Sequence, residues 1–94
     1  MGTTMFGSVD HPDDYISLLE EYSLNYKMHV DAAYGGFVYP FLVEENPLSF
    51  RNPSISSITI DAHKMLQAPY GTGIFLCRKG LIENALTKEA AYVE

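Results

Sequence analysis

The residues of this 94-residue chain best suited to do chemistry together are an aspartate and a lysine 33 positions apart. Asp31 closes the run His29-Val30-Asp31 and is followed by Ala32-Ala33-Tyr34-Gly35-Gly36. Lys64 follows His63, just past the run Ile55–Ile60 that ends at Asp61. Each half reads as a strand ending in polar residues, so the acid and the amine can face one crevice at the carboxyl ends of strands. That pairing suits a cofactor needing a carboxylate at one end and an imine-forming amine at the other. Pyridoxal phosphate is such a cofactor.

The chemistry sets demands on each residue. Pyridoxal phosphate acts as an electron sink only while its ring nitrogen is protonated, and a buried carboxylate favours that cation in a charge-assisted pair. Asp31 ends an apolar strand, and the two alanines after it are small enough for a flat ring to lie close. Its plainer reading is an aspartate that caps the following turn. An imine-forming lysine must be able to lose its proton, and partial burial with a nearby cation lowers its pKa toward that state. Alone, Lys64 reads as a surface charge and His63 as a structural histidine.

The elements that position these residues follow from local pattern. Residues 1–9 read as the end of a strand and a polar turn. Asp10 is placed to cap a helix, with Pro12 in its first turn and Asp13 and Asp14 near the positive end of its dipole. That helix is expected to run to about Asn25, with Tyr15, Leu18, Leu19, Tyr22 and Tyr26 on its buried face. Lys27–Asp31 reads as a strand and Ala32–Gly36 as a turn. Phe37–Leu42 is aromatic and apolar, interrupted by Pro40, and Asn46-Pro47 and Asn52-Pro53 bracket a loop. Ile55–Ile60 and Ile74–Arg78 read as strands, with a turn over residues 68–73 and a final helix over Lys79–Lys88. Alternating strands and connections argue for an α/β layer with mainly parallel pairing. The 69–73 turn is too short for a crossover helix, so the direction of the last strand stays open.

Composition narrows the classes. Apolar residues make up 47% of the chain and the formal net charge is −6, which fits a globular domain without a basic patch for nucleic acid. Anionic membrane surfaces are disfavoured for the same reason. No apolar stretch approaches the length of a membrane span, and no secretory signal opens the chain. Phe6 breaks the acceptor pattern for myristoylation at Gly2. The single cysteine, Cys77, reads as a small buried hydrophobe, and the absence of any pairing partner fits a reducing cytoplasm. Ninety-four residues make one domain at most.

The flanking residues carry a resemblance. HVDAAYGGFVYPF (29–41) and SITIDAHKMLQAPYGTG (57–73) resemble the centre of the group II pyridoxal-phosphate-dependent amino-acid decarboxylases, of the aspartate-aminotransferase fold superfamily. The wording is closest to the archaeal-type tyrosine/aspartate decarboxylases, and the resemblance covers essentially the whole chain. It implies that the chain is the central part of the large, mainly parallel-sheet α/β domain of a fold-type I enzyme, cytoplasmic and homodimeric, acting on an amino acid. By the resemblance, Asp31 matches the partner of the pyridine nitrogen, Ala33 the small residue against one ring face, and Lys64 the Schiff-base lysine. His63 matches a residue near the cofactor phosphate, and Asp61 stands where relatives carry a polar residue close to that phosphate. Thr3, in Gly2-Thr3-Thr4, resembles a threonine near the ring. Tyr92 resembles a tyrosine of a mobile catalytic loop that assists protonation at the substrate carbon.

Two departures qualify the match. Ala62 stands where many relatives carry proline. The family's phosphate-binding loop and ring-stacking residue lie upstream of its Gly-Thr-Thr segment, and its small domain lies downstream, so neither is expected within these residues. Two other readings stay open at this level. One is another fold-type I enzyme, such as an aldehyde-releasing lyase, desulfurase or aminotransferase. The other is a non-catalytic truncated remnant. The expectation for the 94 residues by themselves is inactivity.

Overall fold

The structure, a computed structural model, describes residues 1–3 and 5–81. The order of elements is α1 (Pro12–Glu21), β1 (Met28–Asp31), α2 (Tyr39–Leu42), β2 (Ile55–Asp61) and β3 (Gly73–Cys77). The strands form one sheet in the order β1-β2-β3. β1 and β2 run parallel, while β2 and β3 run antiparallel. The class is α/β, but the sheet is mixed rather than mainly parallel. Residues 62–72 join β2 to β3 and turn the chain back beside β2, without the dozen or more residues a parallel crossover needs.

The register explains which side of the sheet is apolar. Met28 lies opposite Ile55 and His29 opposite Ser57, so Ser56 is an extra residue, a bulge. The bulge lets Ile55 and Ile58 fall on the same side as Val30. With Ala32 and Leu48 these residues form the buried core, flanked by Val9, Met28, Phe50 and Ile60. The other side of β1 and β2 carries His29 and Asp31, then Ser57, Thr59 and Asp61. His29 ties the strands together there: its ring nitrogens lie 2.8 Å from Ser57 Oγ and 3.1 Å from Thr59 Oγ1.

The loop between α2 and β2 is held by its own polar residues. Asn46 Oδ1 accepts the Leu48 N–H and Asn52 Oδ1 accepts the Ser54 N–H, turns typical of Asn. Arg78 donates to the carbonyls of Phe50, Asn52 and Ile55 and lies over the Phe50 ring. This guanidinium therefore fastens the loop to the end of β3.

Several expectations need correction. His11, not Asp10, is the N-cap of α1, and no side chain caps it. The helix ends at Glu21 rather than near Asn25. Ser23 sits at φ 52°, with the Leu24 N–H donating to Leu19 O and the Ser23 N–H to Glu20 O. This is a Schellman stop with serine in the position usually held by glycine, which is why it left no signal in the sequence. The buried residues of α1 are Pro12 and Ile16. The stripe expected to be buried is largely open, with Tyr15, Leu18 and Tyr22 all more than half exposed. Residues 1–3 are not in a strand, although a turn does follow them. Cys77 is half-buried rather than a core residue. The expected helix over Lys79–Lys88 lies almost wholly outside the described residues. Among the described residues, no helix is long and apolar enough to cross a membrane.

Candidate active site

β1 and β2 are parallel neighbours, so their carboxyl ends lie at the same edge of the sheet. Crevices at that edge are where open α/β sheets receive ligands. A cleft of about 340 Å³ opens there, lined by Met1, Gly2, Thr3, Asp10, Asp31, Ala33, Tyr34 and Lys64. The expected site residues Thr3, Asp31, Ala33 and Lys64 thus share one cavity. Asp61 and His63 adjoin it through Lys64 but do not line it. Tyr92 lies outside the described residues.

Asp31 is the last residue of β1 and is exposed, not buried as the sequence reading has it. Its Oδ1 accepts the Ala33 N–H at 3.0 Å, so the turn-capping geometry is present. One carboxylate oxygen caps the turn, and the other has no donor among the described residues. The chain then continues in ladder with β2: the Ala32 N–H donates to Thr59 O and the Asp61 N–H to Ala33 O. These bonds fix Asp31 and Ala33 at the sheet edge.

The turn beyond Ala33 depends on close approach. A Cβ on Gly36 would stand 2.6 Å from Ala32 O and 2.9 Å from Ile60 Cγ2, and one on Gly35 would stand 2.9 Å from Met1 O. Two glycines in succession let the turn fold against β2 and let residues 1–3 lie across it as one wall of the cleft. Thr3 is held in that wall, its Oγ1 accepting the Ser8 N–H.

Lys64 departs furthest from expectation. The sequence reading has partial burial and a nearby cation pushing its amine toward neutrality. Instead the side chain is exposed, and Nζ lies 2.9 Å from Asp61 Oδ2. The hydrogen bond to Asp61 raises the Lys64 pKa above its ordinary value. Desolvation opposes this, and the charges of Asp61, Asp31 and Tyr70 add to the rise. The amine is held protonated because its closest partner is an anion and water still reaches it. His63 lies beside this pair, with Nε2 3.9 Å from Asp61 Oδ2. Its Nδ1–H donates to Thr72 O, and its ring is 5.0 Å from that of Tyr70.

Sequence reasoning missed Asp10 and Tyr34 as cleft residues. Tyr34 falls inside the DAAYGG run and was open to notice there. Asp10 reaches the cleft only through the fold, so its sequence context, a helix start, pointed elsewhere.

The donor set bears directly on what the cleft can take. A carboxylate and an amine across a cavity fit the ring nitrogen and the aldehyde carbon of pyridoxal phosphate. A phosphate dianion needs cations or converging N–H groups. The side chains lining this cleft bring two carboxylates, Asp10 and Asp31, against one ammonium, Lys64, and the Met1 amine there is engaged by the Asp31 carbonyl. The described residues therefore fit the ring end of the cofactor and form no cradle for its phosphate.

Comparison with known proteins identifies a family. The family described as "Pyridoxal-dependent decarboxylase conserved domain" matches residues 1–94. The chain is 63% identical to a tryptophan decarboxylase of Clostridium sporogenes over 94 residues, all of this chain and 22% of that protein. It is 40% identical to a probable L-aspartate decarboxylase of Archaeoglobus fulgidus over 92 residues, covering 98% of this chain and 24% of the relative. A probable L-tyrosine/L-aspartate decarboxylase of Methanothrix thermoacetophila is 41% identical with the same coverage. The chain thus spans about a quarter of the length of these relatives. No solved structure matches it at a significant level.

Proposed function

The chain belongs to the pyridoxal-dependent decarboxylase family, and on that premise we propose that it forms the ring-binding part of an enzyme that removes the α-carboxylate of an amino acid as carbon dioxide. The observation that carries this reading is that Asp31 and Lys64 line one cleft at the carboxyl ends of two parallel strands. Pyridoxal 5'-phosphate is the cofactor of the family. Bound here, it would supply the electron sink that makes loss of carbon dioxide feasible.

The chain's own residues would then divide the work. In this reading the Asp31 oxygen not used in the turn accepts a hydrogen bond from the protonated ring nitrogen and keeps it charged. Ala33, small and half-buried at the cleft wall, leaves room for a flat ring. Lys64 is the covalent anchor and, once its amine is freed, a carrier of protons. Thr3 offers a hydroxyl near the ring, and His63 is read as a neighbour of the phosphate. Tyr92 is read as the donor of a proton to the substrate carbon. In this reading the small mixed sheet belongs to the large domain of a fold-type I enzyme that works in the cytoplasm as a homodimer.

A segment exchange tests the proposal. Residues 1–94 would replace the matching stretch of the Clostridium sporogenes tryptophan decarboxylase. Carbon dioxide release would then be measured over a panel of amino acids, with tryptophan, tyrosine and aspartate first. Turnover that is lost on Lys64→Ala supports the reading. A folded, cofactor-loaded chimera that releases no carbon dioxide from any amino acid overturns it.

A further inference from the structure

A direct ion pair beside the cleft involves Asp61, which the family resemblance puts close to a phosphate. We infer that Asp61 is instead the counter-ion and positioning residue of Lys64, holding its amine as an ammonium at the cleft mouth. The functional consequence rests on the reading of Lys64 as the cofactor's anchor.

The geometry favours the lysine over an anion as the partner of Asp61. Its Oδ2 lies 2.9 Å from Lys64 Nζ and 3.9 Å from His63 Nε2, so the groups nearest that oxygen are a cation and an ionisable base. The Asp61 side chain is only 18% exposed. A dianion brought against a partly desolvated carboxylate would be repelled, while an ammonium is attracted.

Asp61 is also built to stay in place. It is the last residue of the central strand. Its N–H donates to Ala33 O, and the next N–H, from Ala62, donates to Thr72 O. Across the ladder it faces Gly73, where a Cβ would come within 3.4 Å of Oδ1. The carboxylate is thus fixed between two strands, and the long lysine side chain folds back to it across three residues. Rigid acid and flexible amine is the arrangement in which the acid decides where the amine rests.

The other charged and titratable groups around Lys64 are identifiable. Asp31 reaches the cleft from the end of β1, where the Met1 amine donates to its carbonyl; Asp10 also lines the cleft, and Tyr70 stands on the connection before β3. His63 adjoins from the same turn. Of these, Asp61 makes the direct hydrogen bond to Nζ and is the largest cause of the raised Lys64 pKa. An amine adds to a carbonyl carbon only after losing its proton. Asp61 therefore sets how much alkali, or how strong a competing base, is needed to free the Lys64 amine.

The test needs no bound cofactor. Trace acetylation of the cofactor-free segment-exchange enzyme, across a pH series, is read by mass spectrometry at each lysine. In the unsubstituted protein Lys64 should become reactive at higher pH than Lys27 and Lys79. In Asp61→Asn, the Lys64 rate at fixed alkaline pH should rise at least about threefold relative to Lys27 in the same sample. Asp61→Glu should restore the original ratio. A merely structural role predicts no selective change at Lys64 and no rescue by glutamate. An unchanged ratio in Asp61→Asn overturns the inference. So does a Lys64 that titrates with or below the other lysines in the unsubstituted protein, a result that stands even if the variant fails to fold. Borohydride trapping keeps the two readings apart. Cofactor trapped elsewhere, with Lys64 reactivity still governed by Asp61, defeats only the proposed function. Cofactor trapped on Lys64 with an unchanged ratio defeats only this inference.

Discussion

Asp31 and Lys64 line one cleft although 33 positions separate them. Asp31 ends β1, Lys64 follows the end of β2, and the two strands are parallel neighbours. An antiparallel pairing would have sent the two residues to opposite ends of the sheet. The direction of one strand pair therefore decides whether acid and amine can serve one ligand.

The dual use of Asp31 separates its two roles by substitution. An asparagine side chain in its place would still offer an oxygen to the Ala33 N–H and so preserve the turn, but it has no charge to set against a cationic ring nitrogen. In the segment-exchange enzyme, Asp31→Asn and Asp31→Ala should both lower kcat by about 10²–10³-fold, with much smaller losses in cofactor affinity. Near-normal kcat in Asp31→Asn, measured under saturating cofactor, would show that Asp31 is a turn residue alone.

Lys64 should be the residue that borohydride fixes to the cofactor in the same enzyme. Peptide mapping after reduction decides this, and a label on Lys27, Lys79 or Lys88 would remove the basis of the assignment. Lys64→Ala should leave the enzyme folded, unlabelled and without turnover.

The Lys64–Asp61 pair gives stability a definite pH dependence. Lys64 has its folded pKa raised above the ordinary 10.5. Its contribution is therefore fully present below that ordinary value and fades as pH climbs through the raised one. The exposed amine keeps the effect small. In the segment-exchange enzyme, the difference in urea midpoint between the unsubstituted form and Lys64→Met should be constant from neutrality to about pH 10 and shrink above it. A difference that already shrinks near neutrality would show that the Lys64–Asp61 pair does not govern it.

Gly36 should not tolerate a side chain. A methyl group there meets Ala32 O at 2.6 Å and Ile60 Cγ2 at 2.9 Å, both parts of the sheet rather than flexible ends. In the segment-exchange enzyme, Gly36→Ala should cost about 1–3 kcal/mol, read as a lowered denaturation midpoint. It should also raise the cofactor dissociation constant, because the turn carrying Ala33 and Tyr34 has to shift. Unchanged stability and affinity would mean that the turn has more room than its contacts show.

The 94-residue polypeptide by itself should neither retain pyridoxal phosphate nor decarboxylate any amino acid. Its cleft lacks a phosphate cradle among the described residues, and large side chains such as Phe41, Phe75 and Tyr22 lie more than half exposed. Such surfaces favour association, and among the described residues β3 is an edge strand of the sheet, open to pairing. Gel filtration with light scattering should show aggregates or an expanded species, and equilibrium dialysis should show cofactor bound no better than by free lysine. A monodisperse chain whose turnover disappears in Lys64→Ala would overturn the prediction and make it a minimal enzyme.

The sequence by itself determined the strands and the identities of the acid and the amine. The β-branched run closing in Asp61 and the short run Met28-His29-Val30 closing in Asp31 are local patterns, and the run-ending position of a polar residue survives any packing. It also held the Asn-Pro loop, since Asn46 and Asn52 make their turns with their nearest neighbours. The end of α1 was out of reach because it rests on Ser23 adopting a left-handed backbone, which serine does rarely and without a sequence marker. The exposure of Tyr15, Leu18 and Tyr22 was equally hidden, since a helical stripe shows only that a face is apolar and not what lies against it. The mixed sheet, Asp10 in the cleft wall and Gly36 against Ile60 were decided by the tertiary structure. So was the electrostatic state of Lys64: its neighbours His63 and Asp61 were visible as text, but the reach of Nζ to one carboxylate oxygen is a matter of distance. A pKa follows the nearest charge and the local water, and both are set only when the strands have paired.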